Sequence, residues 1–169
     1  SLMQKRDIYF FFGFGQSAKY FVKELINTKK RFSFCATNTK KTRIANFAKK
    51  KFKSFKLNNL YFDKKLLPEL EKSNFILVSI PPQKKKDIIL KKFGKTLKKL
   101  NFKKLIYLSA TSVYGNHFGK WVNENSKLKG KTKFGLSRRI VEQSWLDFKK
   151  KNKLDISILR ISGIYSREN

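Results

Sequence analysis

Ile8-Tyr9-Phe10-Phe11-Phe12-Gly13-Phe14-Gly15-Gln16-Ser17-Ala18 is the stretch that decides the fold of this 169-residue chain. Five apolar residues read as a buried strand, and the segment that follows sets Phe21, Val22, Leu25 and Ile26 on one face of a helix. Between them lies a glycine turn. Gly13 permits the tight turn, Gly15 lets another group come close to the backbone, and the small Ala18 lets the helix pack on the strand. The helix N-terminus offers free N–H groups and a partial positive charge, so the arrangement suits a pyrophosphate. G-x-G-x-x-A arises often by chance; its place between an apolar strand and an amphipathic helix gives it weight.

Working outward, strand and helix alternate to the end of the chain. Strands are predicted at Ile8–Phe12, Phe32–Thr37, Leu57–Phe62, Phe75–Ile80, Leu105–Ser109 and Ile156–Ile161. Helices are predicted at Gln16–Asn27, Thr42–Lys50, Gln83–Leu100 and Phe134–Lys150, with a helical turn or two at Lys65–Glu71. Gly115–Lys133 reads as an irregular loop. The lysines of Gln83–Leu100 fall mostly off the face made by Ile88, Ile89, Phe93, Leu97 and Leu100, so that run is a solvated helix face. Six strands joined by helices predict an α/β domain, a three-layer, doubly wound parallel sheet of Rossmann type, with right-handed crossovers. Its ligand belongs beyond the strand C-termini, where the strand order reverses.

Residues 1–169 are expected to form one domain, with no internal linker or repeat. The apolar runs are too short to span a membrane, no signal peptide is visible, and Ser1-Leu2 ahead of Met3 reads as a cloning remnant; a cytoplasmic location is the expectation. Cys35 is the only cysteine, which excludes an internal disulfide and a cysteine-rich zinc site. It reads as a small apolar residue of the second strand. The net charge of +30 raises the question of nucleic acid, since clustered Lys and Arg neutralise phosphates. Composition argues against that reading. Of 41 basic residues 34 are Lys, Phe is abundant at 17 and Gly scarce at 8, the pattern of AT-rich codon usage, and the lysines are scattered through every segment. The charge still draws anionic ligands at low salt.

Three further segments carry a resemblance. Leu105-Ile106-Tyr107-Leu108-Ser109-Ala110-Thr111-Ser112-Val113-Tyr114-Gly115, Trp121-Val122-Asn123-Glu124 and Leu159-Arg160-Ile161-Ser162-Gly163-Ile164-Tyr165 follow the glycine turn in order. Together they resemble the short-chain dehydrogenase/reductase superfamily, in its extended or atypical epimerase/dehydratase branch. The resemblance implies an NAD(P)-binding Rossmann domain acting on a nucleotide-sugar or another carbonyl or hydroxyl substrate. It also implies a C-terminal substrate-binding region that is missing from this chain, and a homodimer built on the helices after the fourth and fifth strands. Non-catalytic dinucleotide binding, as a sensor or scaffold, is the alternative.

The family's Tyr-x-x-x-Lys pair is matched here by Phe134 and Arg138, and its catalytic Ser or Thr by Ala110. Phe134 has no proton to exchange, and Arg138 can hydrogen-bond ribose or phosphate but does not titrate. Thr111, Tyr114 and Arg138 are the remaining catalytic candidates. The resemblance assigns cofactor contacts to Gly13, Phe14, Gly15, Gln16, Ser17, Ala18, Asn38, Thr39, Lys40, Ser79, Ile80, Pro81, Ser109, Ala110 and Arg138. At the end of the second strand an acid normally takes the ribose 2′-hydroxyl and a basic residue accommodates a 2′-phosphate. Thr37-Asn38-Thr39-Lys40-Lys41 and Arg43 include no acid, which points to NADP ahead of NAD. His117 has no partners to make a metal site and reads as a loop residue, Glu124 as a loop salt bridge, and Trp121 as a loop anchor or pocket wall.

Overall fold

The computed structural model describes residues 5–80, 86–110, 121–123 and 133–161; for 110, 121–123, 133–137 and 161 the backbone alone is described. Its elements are β1 (Asp7–Phe12), α1 (Gln16–Asn27), β2 (Phe32–Asn38), β3 (Arg43–Phe47), β4 (Lys50–Lys56), α2 (Leu66–Lys72), β5 (Phe75–Val78), α3 (Ile88–Leu97), β6 (Lys104–Ala110), β7 (Trp121–Asn123), α4 (Lys133–Asn152) and β8 (Ile156–Ile161). The eight strands form one sheet in the order β3-β4-β2-β1-β5-β6-β8-β7. The six inner strands run parallel, and β3 and β7 lie antiparallel at the two edges.

Alternation along β1 builds both faces of the core. Tyr9 and Phe11 pack with Ala18, Val22 and Leu25 of α1 on one side. Phe10 and Phe12 pack on the other with Leu66 and Leu70 of α2, Ile89 and Phe93 of α3, and Val141 and Trp145 of α4. A run apolar at every position is what a parallel strand needs, because helices cover it on both sides. The Rossmann-type α/β architecture expected from the sequence is the one observed.

Four local expectations are corrected. Thr42–Lys50 is no helix. It forms β3 and a turn into β4, whose ladder closes at Phe47 and Lys50. Ile44, Phe47 and Ala48 have helical spacing, but Ala45 and Phe47 face the core while Ile44 and Asn46 face solvent, the period of a strand. The two turn residues, Ala48 and Lys49, have φ of 51° and 63°, a reversal that Asn-Gly would ordinarily announce. The parallel neighbour of β2 is therefore Lys50–Lys56, displacing the strand expected at Leu57–Phe62. Leu57 and Phe62 instead form one antiparallel bridge around a turn held by Asn58.

The helix expected from Gln83 starts at Ile88, because the Asp87 carboxylate accepts the N–H groups of Ile89 and Leu90 at 2.8 and 3.0 Å and caps it there. Finally, the predicted loop over Gly115–Lys133 contains β7, paired with β8. A three-residue edge strand is too short to show a period.

Candidate functional site

The strand order reverses between β1 and β5, and the glycine turn stands there. Gly13 has φ of +87°, and a Cβ on it would meet Ile80 Cγ1 at 3.0 Å and Ser79 Oγ at 3.1 Å. Both the backbone conformation and the space demand glycine. Its N–H donates to Thr37 Oγ1 at 2.8 Å, which ties the turn to the end of β2. Gly15 differs. It is the N-cap of α1, no side chain caps the helix, and a Cβ on it would meet nothing within 4 Å. The open space over Gly15 and the uncapped helix end form a cradle for an anion, and the first turn carries no acid to oppose one.

A cavity of about 720 Å³ opens from this cradle. Gly13, Phe14, Gly15 and Lys19 line it from the turn and α1, Thr37, Asn38 and Thr39 from the end of β2, and Ser79, Ile80 and Ile88 from the segment after β5. Arg43, Ala45, Phe47, Phe52 and Ser54 close it on the hairpin side, and Leu57, Asn58 and Asn59 beyond β4. No carboxylate stands among these described lining residues, whereas Lys19 and Arg43 supply two cations. Phe14 stacks on Phe34 at 5.5 Å and meets Phe47 and Phe52 at 5.6 and 4.9 Å, which gives the hairpin side an aromatic floor. Glycine cradle, helix end, apolar wall and cations fit a dinucleotide.

Of the residues expected to touch a cofactor, the structure brings Gly13, Phe14, Gly15, Asn38, Thr39, Ser79 and Ile80 to this wall. Ser17 and Ala18 are buried beneath it, at 1% and 0% exposure, and Gln16 and Lys40 are not on it. Asn38 is committed to the turn after β2. Its Oδ1 accepts the N–H groups of Lys40 and Lys41 at 2.9 and 3.0 Å, and its Nδ2 donates to Ser54 Oγ and Lys41 O at 2.7 and 2.8 Å. Arg43 Nη1 donates to the same Oδ1 at 3.3 Å.

Ser109 and Arg138 stand apart from the cavity wall. Arg138, 2% exposed on α4, donates from Nη1 to the Tyr107 hydroxyl of β6 at 2.9 Å. Asp87, 6% exposed, faces the same group of side chains with Trp145. Burial raises the Asp87 carboxyl above the usual carboxylate range, against its bonds to Leu90 and Ile89, its Trp145 contact and the Arg138 charge. Burial likewise raises the Tyr107 hydroxyl, although Arg138 works against it. A second buried pair adjoins: Arg160 of β8 bonds Glu142 of α4 at 3.0 Å, both almost fully covered. Ala110 ends β6 and Phe134 lies in the first turn of α4.

Pro81, Thr111, Tyr114, His117 and Glu124 lie outside the described residues, and Trp121 is described by backbone alone. Cys35 is half-buried in β2 with its Sγ 3.8 Å from Glu69 Oε2; burial first, and the Glu69 charge second, push its thiol up to about 11. No helix among the described residues is long and apolar enough to cross a membrane, and no group of His, Cys, Asp and Glu there could hold a metal ion. Sequence reasoning missed Lys19, Phe47, Phe52, Asn58 and Ile88 as wall residues. Phe47 and Phe52 were legible only to a reader who had seen the hairpin.

Residues 93–169 match the model of the NAD dependent epimerase/dehydratase family. No curated relative matches the chain at a significant level. Among solved structures it is similar to a conserved protein of unknown function from Silicibacter pomeroyi (21% identity, TM-score 0.56, covering 84% of this chain and 49% of that one). It is also similar to a UDP-glucuronic acid 4-epimerase from Bacillus cereus in complex with NAD (15%, TM-score 0.61, 91% and 54%). A third is a UDP-N-acetylglucosamine 4-epimerase from Methanobrevibacter ruminantium (17%, TM-score 0.59, 91% and 54%). The chain thus spans about half the length of the solved structures it matches. The resemblance to the epimerase/dehydratase branch read from the motifs is borne out, and these likenesses show the shared fold.

Proposed function

We propose that this chain, similar over residues 93–169 to the NAD dependent epimerase/dehydratase family, is the dinucleotide-binding domain of a protein acting on a nucleotide-sugar or other carbonyl or hydroxyl substrate. One observation carries the reading: the space over Gly15 and the uncapped end of α1 open into the cavity at the point where the strand order reverses. The pyrophosphate belongs on the N-terminus of α1, held by backbone N–H groups and the helix dipole. The adenosine half belongs between the end of β2 and the hairpin. NADP is the better fit of the two dinucleotides, because the described wall there carries Arg43 and no acid. When bound, the nicotinamide would supply hydride transfer; the chain's own residues bind, orient and shield it.

Calorimetric titration of NADP and NAD into the wild type and Gly15→Asp tests this. Binding by the wild type and a loss of about a hundredfold in the variant are expected, since a carboxylate would then stand in the cradle. No binding of either dinucleotide would overturn the reading. Should the protein turn over a substrate, Thr111→Ala and Tyr114→Phe test the two hydroxyl candidates, and full activity in both would remove them.

A second reading, binding without turnover, is favoured by Arg138. It stands at the position of the family's lysine, yet its guanidinium bonds the buried Tyr107, and Phe134 stands where the family's tyrosine belongs. It predicts cofactor binding with no hydride transfer across a broad panel of carbonyl and nucleotide-sugar substrates.

A further inference from the structure

Strand β3 ends the sheet, and among the described residues it pairs with β4 alone. We propose that its free edge is a docking site for an extended acidic segment of a partner protein, which joins the sheet as a further strand. The inference stands independently of the dinucleotide reading.

The hairpin fixes which backbone groups are offered. Ala48 and Lys49 form a two-residue turn with both φ positive, so Phe47 and Lys50 face each other as a hydrogen-bonded pair. Pair types alternate along an antiparallel ladder, so Ala45 and Arg43 also point their N–H and C=O groups at β4. Ile44 and Asn46 point theirs the other way, at the open edge, and no other described residue bonds them there. Ile44 is 60% exposed although apolar, and Leu60 and Tyr61 stand bare in the turn beyond β4. Thr42 ties that turn to the head of β3, donating to Asp63 Oδ2 at 2.6 Å and accepting the Lys56 N–H at 3.0 Å. An open edge with uncovered apolar side chains is a template for another strand.

Charge decides what docks. From Leu25 to Phe62 the chain contains no Asp or Glu. Across the ladder Lys53 faces Ile44 and Lys51 faces Asn46, both exposed, and their long stems can carry the ammonium groups to the edge. Lys53 shares the Glu69 carboxylate with Lys72, at 3.8 and 3.6 Å, so one acid serves two cations. Lys41, Arg43 and Lys49, also exposed, extend the positive field along the hairpin. A second copy would bring the same cations and no acid, and the two edges would repel. A nucleic acid would meet the charge but has no use for the alternating N–H and C=O groups of a strand edge. An extended segment with acids on the face of Lys51 and Lys53 satisfies both features.

The probes are a synthetic peptide of alternating Glu and Val, its counterpart with Lys for Glu, and single-stranded oligodeoxythymidine, compared by fluorescence anisotropy at physiological salt. The Glu–Val peptide is expected to bind at least about tenfold more tightly than the Lys–Val peptide. It should also slow hydrogen exchange at the Ile44 and Asn46 amides. Asn46→Pro removes one outward N–H, leaves the bonds to β4 in place, and should weaken binding about tenfold. Lys51→Gln with Lys53→Gln should do the same. Lys150→Gln with Lys151→Gln, on exposed positions of α4 at the β8 end of the sheet, should change affinity by less than about twofold. Should Asn46→Pro fail to fold, the two glutamine pairs and the wild-type exchange still decide. Equal losses in the two glutamine pairs, equal binding of the two peptides, or unchanged exchange at Ile44 and Asn46 would overturn the proposal. DNA bound more tightly than the peptide, with neither amide protected, would overturn it in favour of nucleic acid. A dimer in sedimentation that Asn46→Pro dissolves would overturn it in favour of a second copy.

Discussion

The amide of Gly13 donates to the hydroxyl of Thr37 across 2.8 Å, and with that bond the glycine turn after β1 is fastened to the end of β2. Twenty-four residues separate the two in the chain, and the parallel register of β1 and β2 brings them together. Thr37→Val keeps the shape and removes the acceptor. It is expected to cost about 1 kcal/mol, since the Gly13 N–H loses its partner, and to weaken nucleotide binding more than that. Denaturant unfolding and a titration with NADP check the two effects separately.

Gly13→Ala should be worse. The φ of +87° and the contacts of 3.0 and 3.1 Å to Ile80 and Ser79 oppose any side chain, for a loss of about 2 kcal/mol or more in stability. Gly15→Ala meets nothing, so its unfolding midpoint should stay close to the wild type while nucleotide affinity drops.

The β3–β4 turn stores strain that can be relieved. Ala48 and Lys49 hold positive φ with side chains that disfavour it. Replacing them by Asn-Gly should stabilise the protein by about 1 kcal/mol, a rise of about 2–4 °C in the thermal midpoint. An unchanged or lower midpoint would mean that the reversal has another geometry.

Asp87 makes stability depend on pH in an unusual direction for a carboxylate. Burial raises its folded pKa above the unfolded value, so between the two values the folded state binds more protons. This group's contribution therefore favours folding at low pH and falls as pH rises through the folded pKa. An asparagine side chain in its place keeps an acceptor for the helix cap and carries no charge. The difference in unfolding free energy between Asp87→Asn and wild type should thus grow in the variant's favour from acid toward neutral pH, offset by the lost attraction to Arg138. A pH-independent difference would refute this.

Glu142 and Arg160 test the second buried pair. Glu142→Ala leaves a guanidinium covered and short of its 3.0 Å partner, at a cost of about 3–5 kcal/mol. The double change Glu142→Leu with Arg160→Met should recover a good part of that loss, as measured in a double-mutant cycle.

How far the chain was legible follows the period of its segments. The all-apolar Ile8–Phe12 and the stripe Ile89, Phe93, Leu97 each admit a single reading, and both were found where expected. Arg43–Lys56 does not: its lysines and phenylalanines satisfy helical spacing and strand alternation alike, and its turn lacks the Asn-Gly that separates the two. The hairpin was missed for that reason, and with it Phe47 and Phe52 of the cavity wall. Arg138 shows a different limit. Its type and position suggested a cofactor ligand, but which way a long side chain turns depends on a tyrosine 31 residues away.

By itself, the sequence determined the layers, the parallel body of the sheet and the place of the glycine turn. Local hydrophobic period and glycine chemistry suffice for those, because each is set within about a dozen residues. Only the tertiary structure decided the edge hairpin, the Asn38–Arg43 contact and the burial of Arg138. Each of these is a contest between local alternatives of similar energy, and contacts made by distant parts of the chain settle it.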